Sequence, residues 1–199
     1  MKKGCLAILA IVVVVGISLF GWVKGTYNGL VEKQEGVKSA WSQVENVYQR
    51  RADLIPNLVN TVKGYAAHEK ETLEAVINAR ANATAVKLDA SNMTEADLQR
   101  FQQAQGELSS ALSRLIAVSE SYPELKANEN FLQLQNQLEG TENRITVERQ
   151  KFNQVAQDYN TSVRKFPANI IAGIFNFDQR PYFEAQAGAD KAPTVDFSK

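Results

Sequence analysis

The sequence predicts an all-α protein, an up-down four-helix bundle standing on a single N-terminal transmembrane helix. Three observations lead there. Of the 19 residues Cys5–Val23, 16 are apolar and none is charged. From Tyr27 to Phe166 apolar residues recur at spacings of three and four, the period of a helix and not of a strand. With 5 Pro and 11 Gly in 199 residues, turn formers are too few for a loop-rich all-β fold.

Residues 1–4 form a short flank and residues 5–23 the anchor. Nineteen helical residues reach about 28 Å, close to the roughly 30 Å hydrocarbon core. The run is longer than the apolar part of a signal peptide, about 7–15 residues, and no small-x-small cleavage pattern follows it. It reads as an uncleaved anchor, with Val13 near its middle. Phe20 and Trp22 stand at its far end, where interfacial aromatics belong. Cys5 precedes the run, whereas a lipoprotein cysteine would follow it, so lipidation is not expected. Lys2 and Lys3 flank one side; Lys24, Lys33 and Lys38 flank the other. The compact Met-Lys-Lys start resembles a bacterial signal anchor. That order places the body outside, as a single-pass protein of the cell membrane with an extracytoplasmic (periplasmic) domain.

The body, 27–175, divides into four helices and a short fifth. The first, 27–50, carries Tyr27, Leu30, Val37, Trp41, Val44 and Tyr48; the second, 54–86, carries Ile55, Leu58, Val62, Tyr65, Leu73 and Val76. An unbroken helix over 27–86 would reach about 90 Å, far beyond its partners, and leave its apolar stripe wet. A break is therefore predicted at Arg50–Ile55. Asp53 would cap the new helix, and Pro56, its third residue, would need no N–H partner there. Thr94 is the expected N-cap of a third helix, 95–121, with Glu95 and Asp97 at its positive end. Tyr122-Pro123 closes it, because a residue before proline avoids the helical region. Phe166-Pro167 closes the fourth, 124–166, in the same way. Residues 168–174 form a short helix against the bundle end or the membrane, and 176–199 an irregular tail. Short connections between these helices make antiparallel neighbours.

Four stretches carry a family resemblance. RRADLIPNLVNTVKGYAAHE (Arg50–Glu69), YPELKANENFLQLQNQLEGTENRI (Tyr122–Ile145), FNQVAQDYNTSVRKFP (Phe152–Pro167) and RPYFEA (Arg180–Ala185) resemble, in order, the characteristic blocks of the LemA family. With the anchor, the resemblance covers nearly the whole chain. It implies one N-terminal membrane segment and a helical bundle. It implies no particular reaction.

The residues point away from catalysis. Lys+Arg and Asp+Glu are 22 each, so no cationic excess exists to neutralise phosphates, and nucleic acid is not an expected partner. One Cys and one His cannot build a disulfide framework or a histidine-rich metal site. His68-Glu69 begins a zinc-protease motif, but Thr72 stands where the second His must project. His68 is read as a polar residue on a solvated face. Ser109, Ser110 and Ser113 have no histidine nearby, and the glycines are isolated, so neither a nucleophile nor a phosphate loop is built. No metal and no cofactor is expected.

Two polar features remain. Arg50, Arg51 and Asp53 sit beside Pro56 and Asn57 at the predicted membrane-distal corner, as a surface ion pair or a docking corner. Gln34, Arg51, Glu69, Glu142 and Arg149 fall at seam positions of the apolar pattern, where a polar group must pair or face a groove. Asn143 and Arg144 would line such a groove. The expectation is a non-enzymatic, membrane-anchored interaction module, an adaptor or scaffold of the bacterial cell envelope with a protein partner. A regulatory subunit of a membrane enzyme, such as an envelope protease, is the alternative. A self-assembling homo-oligomer is a third reading.

Overall fold

One helix begins at Lys2 and runs unbroken to Tyr65, 64 residues and about 96 Å. The computed structural model describes residues 2–184, and every regular element among them is helical. This first helix is α1 (Lys2–Tyr65). It is followed by α2 (Lys70–Ala85), α3 (Glu95–Ser119), the single turn α4 (Pro123–Lys126), α5 (Glu129–Arg164) and α6 (Ala168–Ile174). The tail 185–199 lies outside the described residues, as does the side chain of Cys5.

The N-terminal part of α1 is long and apolar enough to cross a membrane. Val13, Phe20 and their apolar neighbours lie bare along it. From Leu30 onward α1 acquires a buried stripe. That part of α1, residues 27–65, is about 58 Å long, matching the roughly 54 Å of α5.

The predicted break at Arg50–Ile55 does not form. Asp53 is inside α1, exposed, and accepts a hydrogen bond from Gln49 Nε2 at 2.7 Å; it caps nothing. Pro56 lies within the helix on its solvent side. A proline there cannot bond the carbonyl four residues back, that of Ala52. Arg80 of α2 supplies the missing donor, its Nε reaching the Ala52 oxygen at 2.7 Å. The chain turns back instead at Ala66–Glu69, held by Ala66 N–H to Val62 O and Glu69 N–H to Ala66 O. The predicted second helix 54–86 is thus two pieces, the end of α1 and the whole of α2. The predicted fourth helix is also interrupted. Asn128 breaks away from α4 and caps α5, its side chain accepting from Phe131 N–H at 3.0 Å. Thr94 caps α3 reciprocally with Asp97.

Contacts fix the directions. Along α1, Trp41 meets Phe152, Arg51 meets Glu142 and Tyr65 meets Asn128, so α5 runs antiparallel to α1. Ala52 meets Arg80, so α2 also runs back along α1. Trp41 meets Phe101 and Arg51 meets Ser109, so α3 runs with α1. The backbones lie side by side over the longest stretches between α1 and α5 and between α2 and α3; α3 stays farther from the backbones of α5 and α1.

Two apolar clusters fill the interior. The membrane-proximal one contains Leu30, Val37, Trp41, Phe101, Phe152 and Tyr159. The distal one contains Ile55, Leu58, Val62, Leu115, Phe131 and Leu138. Burying each such large side chain contributes about 1.5–3 kcal/mol. Between the clusters lies a polar layer built on Arg51.

Candidate functional site

Arg51 is 2% exposed. A buried guanidinium is costly unless its donors are met. Its Nη1 donates to Ser109 Oγ at 2.8 Å and to Glu142 Oε2 at 2.9 Å. Its Nη2 donates to the backbone oxygen and the side-chain oxygen of Gln105. Gln105 in turn donates to Ala83 O at the end of α2. One residue of α1 is thereby tied to α3, α5 and, through Gln105, α2. The guanidinium also lies 5.2 Å from the ring centre of Tyr48. Burial raises the Tyr48 phenol above its ordinary value, against the opposing pull of Arg149 and Arg51.

Around this layer α3 and α5 form the walls of a groove floored by α1. One cleft of about 270 Å³ is lined by Gln102, Gly106, Thr146 and Arg149 together with the Arg51 layer. A second, about 240 Å³, continues past Arg51 and is lined by Leu112, Ser113, Ile116, Leu138 and Glu139. Arg51, Ser109 and Glu142 border both. The first is polar and the second largely aliphatic.

The membrane-proximal half of the same groove holds part of the chain itself, laid along α5. Residues 178–184 run as an extended strap. Asn160 Nδ2 donates to Arg180 O and its Oδ1 accepts from Arg180 N–H, both at 2.8 Å. Asn153 does the same for Phe183, again at 2.8 Å twice. An asparagine amide carries a donor and an acceptor side by side, so it can pair both backbone groups of one residue as a strand would. The spacing fits. Seven residues of α5 advance about 10.5 Å, and three extended residues advance about 10 Å. The strap runs antiparallel to α5, away from the membrane end. Its Phe183 ring lies 6.0 Å from Trp41, 5.5 Å from Phe152 and 4.7 Å from the Arg149 guanidinium. Glu184 O accepts from Arg149 Nη2 at 2.8 Å and from Gln102 Nε2 at 3.1 Å. Those two residues line the polar cleft, which is open among the described residues, and Glu184, the last of these, lies at its mouth.

The profile of the LemA family matches residues 40–197, which take in the Arg51 layer, both asparagines and the strap. The chain belongs to the LemA family. It is similar to the magnetosome protein MamQ 2 of Paramagnetospirillum magneticum, 25% identical over 203 residues, covering 92% of this chain and 74% of that one. It is 27% identical to the magnetosome protein MamQ of Magnetospirillum gryphiswaldense, over 82% of this chain and 66% of that one. Protein LemA of Metamycoplasma hominis is 25% identical over 89% of this chain and 77% of that protein.

Within this LemA-family fold the polar residues singled out by sequence separate into groups. Arg51, Glu142 and Arg149 meet at the groove. Asn143 and Arg144 point to solvent and line neither of its clefts. Arg50, Asp53, Pro56 and Asn57 lie on the exposed side of α1, part-way along the body and not at a corner. His68 and Glu69 are in the distal turn. His68 is exposed, while Glu69 accepts from Tyr122 Oη at 3.0 Å and ties that turn to the N-cap residue of α4. Among the described residues no three His, Cys, Asp or Glu side chains gather as a metal site would require. Sequence reasoning missed Gln105 and the two clamping asparagines, and weighed Ser109 only as a nucleophile. The available signal was an amide repeated seven residues apart on the buried face of α5, beside Phe152, Ala156 and Tyr159.

Proposed function

We propose that this chain is a non-enzymatic, membrane-anchored interaction module whose docking site is the open half of the α3–α5 groove. The four longer helices act as one up-down bundle left open along that side. The apolar start of α1 holds it in the membrane of the cell envelope, with the body on the extracytoplasmic side. The expected occupant is an extended segment of a partner protein, bearing an apolar side chain for the Leu112–Ile116–Leu138 cleft.

One observation carries this reading. The groove already holds an extended segment, the chain's own strap, by paired backbone hydrogen bonds from α5. Main-chain pairing supplies affinity and side-chain clefts supply choice, the usual division of labour in extended-peptide recognition. The open half offers exposed polar side chains at Thr146 and Glu142, then an aliphatic cleft, in the line that the strap follows.

Filling the groove tests the idea. No atom lies within 4 Å of a Cβ added at Gly106, on the groove wall, so a side chain can start there without a clash. The full-length Gly106→Trp chain is expected to melt like the parent but to lose proteins that co-purify with it in stoichiometric amount. The same partners, retained undiminished by the filled groove, would overturn the assignment. A partner that proves to be a membrane enzyme would make the module a regulatory subunit; a second copy of the chain would make it self-assembling.

A further inference from the structure

The membrane-proximal end of the body presents an apolar stripe that the interior does not use. In α6, Ile171 and Ala172 face inward and are buried. On the other side Ile170 and Ile174, four apart, are 51% and 65% exposed; Phe166, in the turn that leads into α6, is 81% exposed, and Phe175, just after it, is 48% exposed. Large apolar groups gathered on one short face and left in water mark a surface that something covers. The helix end is well made: Asn176 adopts the left-handed conformation (φ 58°), and Phe177 N–H bonds Ala172 O at 2.9 Å. That closure fixes the stripe's direction relative to the body.

The position of the stripe says what covers it. The Phe175 ring lies 4.8 Å from Tyr27 and the Phe177 ring 5.6 Å from it. Tyr27 is four residues, about 6 Å of helix, beyond Val23, where the uncharged run of α1 ends. The stripe therefore sits at the depth where α1 leaves hydrocarbon for headgroups, beside Tyr27, a residue type that favours that layer. Lys24, Arg164 and Lys165 surround the same end and make no salt bridge among the described residues.

We propose that α6 is a second membrane contact, lying in the interface of the same bilayer that α1 crosses. Phe166, Ile170 and Ile174 enter the boundary between headgroups and acyl chains, as the apolar face of an interfacial helix does. The inference rests on the reading of α1 as the anchor. Two contacts at one level, a spanning helix and α6, would hold the body at a set orientation, so that the groove faces a fixed direction above the membrane.

Depth measurement on spin labels tests this. The full chain, with Cys5→Ser, is reconstituted in phosphatidylcholine–phosphatidylglycerol vesicles and labelled singly at Val13→Cys, Ile170→Cys or Ile77→Cys. Collision with oxygen and with a water-soluble nickel chelate reports depth. Val13 should be deep, Ile77 fully open to nickel, and Ile170 several-fold less open to nickel than Ile77. Ile170 as open as Ile77 while Val13 is deep would overturn the α6 contact and leave the anchor standing. Val13 open to nickel would remove the anchor and the α6 contact with it. Spin–spin broadening at Ile170 that dilution with unlabelled chain abolishes would show a second copy, not lipid, covering the stripe, and would also overturn it.

Discussion

Arg80 donates its Nε to the carbonyl oxygen of Ala52 at 2.7 Å, the acceptor that Pro56, four residues on, leaves without its helical partner. Proline inside a helix costs roughly 3 kcal/mol relative to alanine, largely through the lost bond and the ring's clash with that carbonyl. The borrowed donor offsets part of this cost and lets α1 continue to Tyr65. Arg80→Met should destabilise by about 1–3 kcal/mol, because Ala52 O is then left unmet. In a Pro56→Ala chain the helical N–H returns, and the cost of Arg80→Met should fall by about 1 kcal/mol. Chemical denaturation of the four chains of this cycle checks it; strictly additive effects would show that the two positions are not coupled.

The Arg51–Glu142 pair is unequal. Arg51 is buried, while the Glu142 side chain is 52% exposed. Removing Arg51 empties a site where Gln105 and Ser109 were satisfied, so Arg51→Met should cost about 2–4 kcal/mol. Glu142→Gln keeps an acceptor in solvent and should cost under about 1 kcal/mol. Thermal melts of the two variants should preserve that order.

Asn160 and Asn153 should hold the strap independently of the helices around them. Asn160→Ala and Asn153→Ala each remove two backbone pairings, roughly 2 kcal/mol of local stability. Hydrogen exchange at the amides of Arg180 and Phe183 should accelerate by at least tenfold, while amides in the middle of α1 keep their protection. Asn160 is buried and Asn153 partly exposed, so the first substitution should have the larger effect.

The capping box of α3 predicts an acid dependence. The side-chain and backbone hydrogen bonds of Thr94 hold the Asp97 carboxyl below its ordinary value. A carboxyl depressed in the folded state adds stability above its unfolded pKa, and that stability is lost as pH falls through the folded value. Thr94→Ala should cost about 1 kcal/mol at neutral pH and progressively less below about pH 4. A cost independent of pH would mean that Asp97 contributes nothing to the cap.

How much of this was legible follows from the range of each interaction. The apolar start of α1 and the helical period were plain because both are written in neighbouring residues. The reversal was misplaced because proline is a local stop signal, whereas its compensation comes from Arg80, distant in sequence. Thr94 announced its helix through residues three apart, but nothing local announced that Ala127–Asn128 would split the last long helix. Arg51 and Glu142 were visible as polar residues in an apolar seam; Gln105, which completes their layer, looked like one glutamine among several on α3. The strap was invisible as a ligand of α5, since an extended segment has no period and its partners are single asparagines.

A partner segment seated in the open half of the α3–α5 groove would lie within reach of its lining residues. Photo-crosslinking in intact cells tests it most directly, with the reactive side chain placed at Ser113 or Thr146 in the groove, or at Asn57 or Arg144 outside its clefts. One reproducible adduct is expected from Ser113 and Thr146 that Asn57 and Arg144 do not give. Adducts from Asn57 or Arg144 alone, or the same adducts from all four positions, would contradict it.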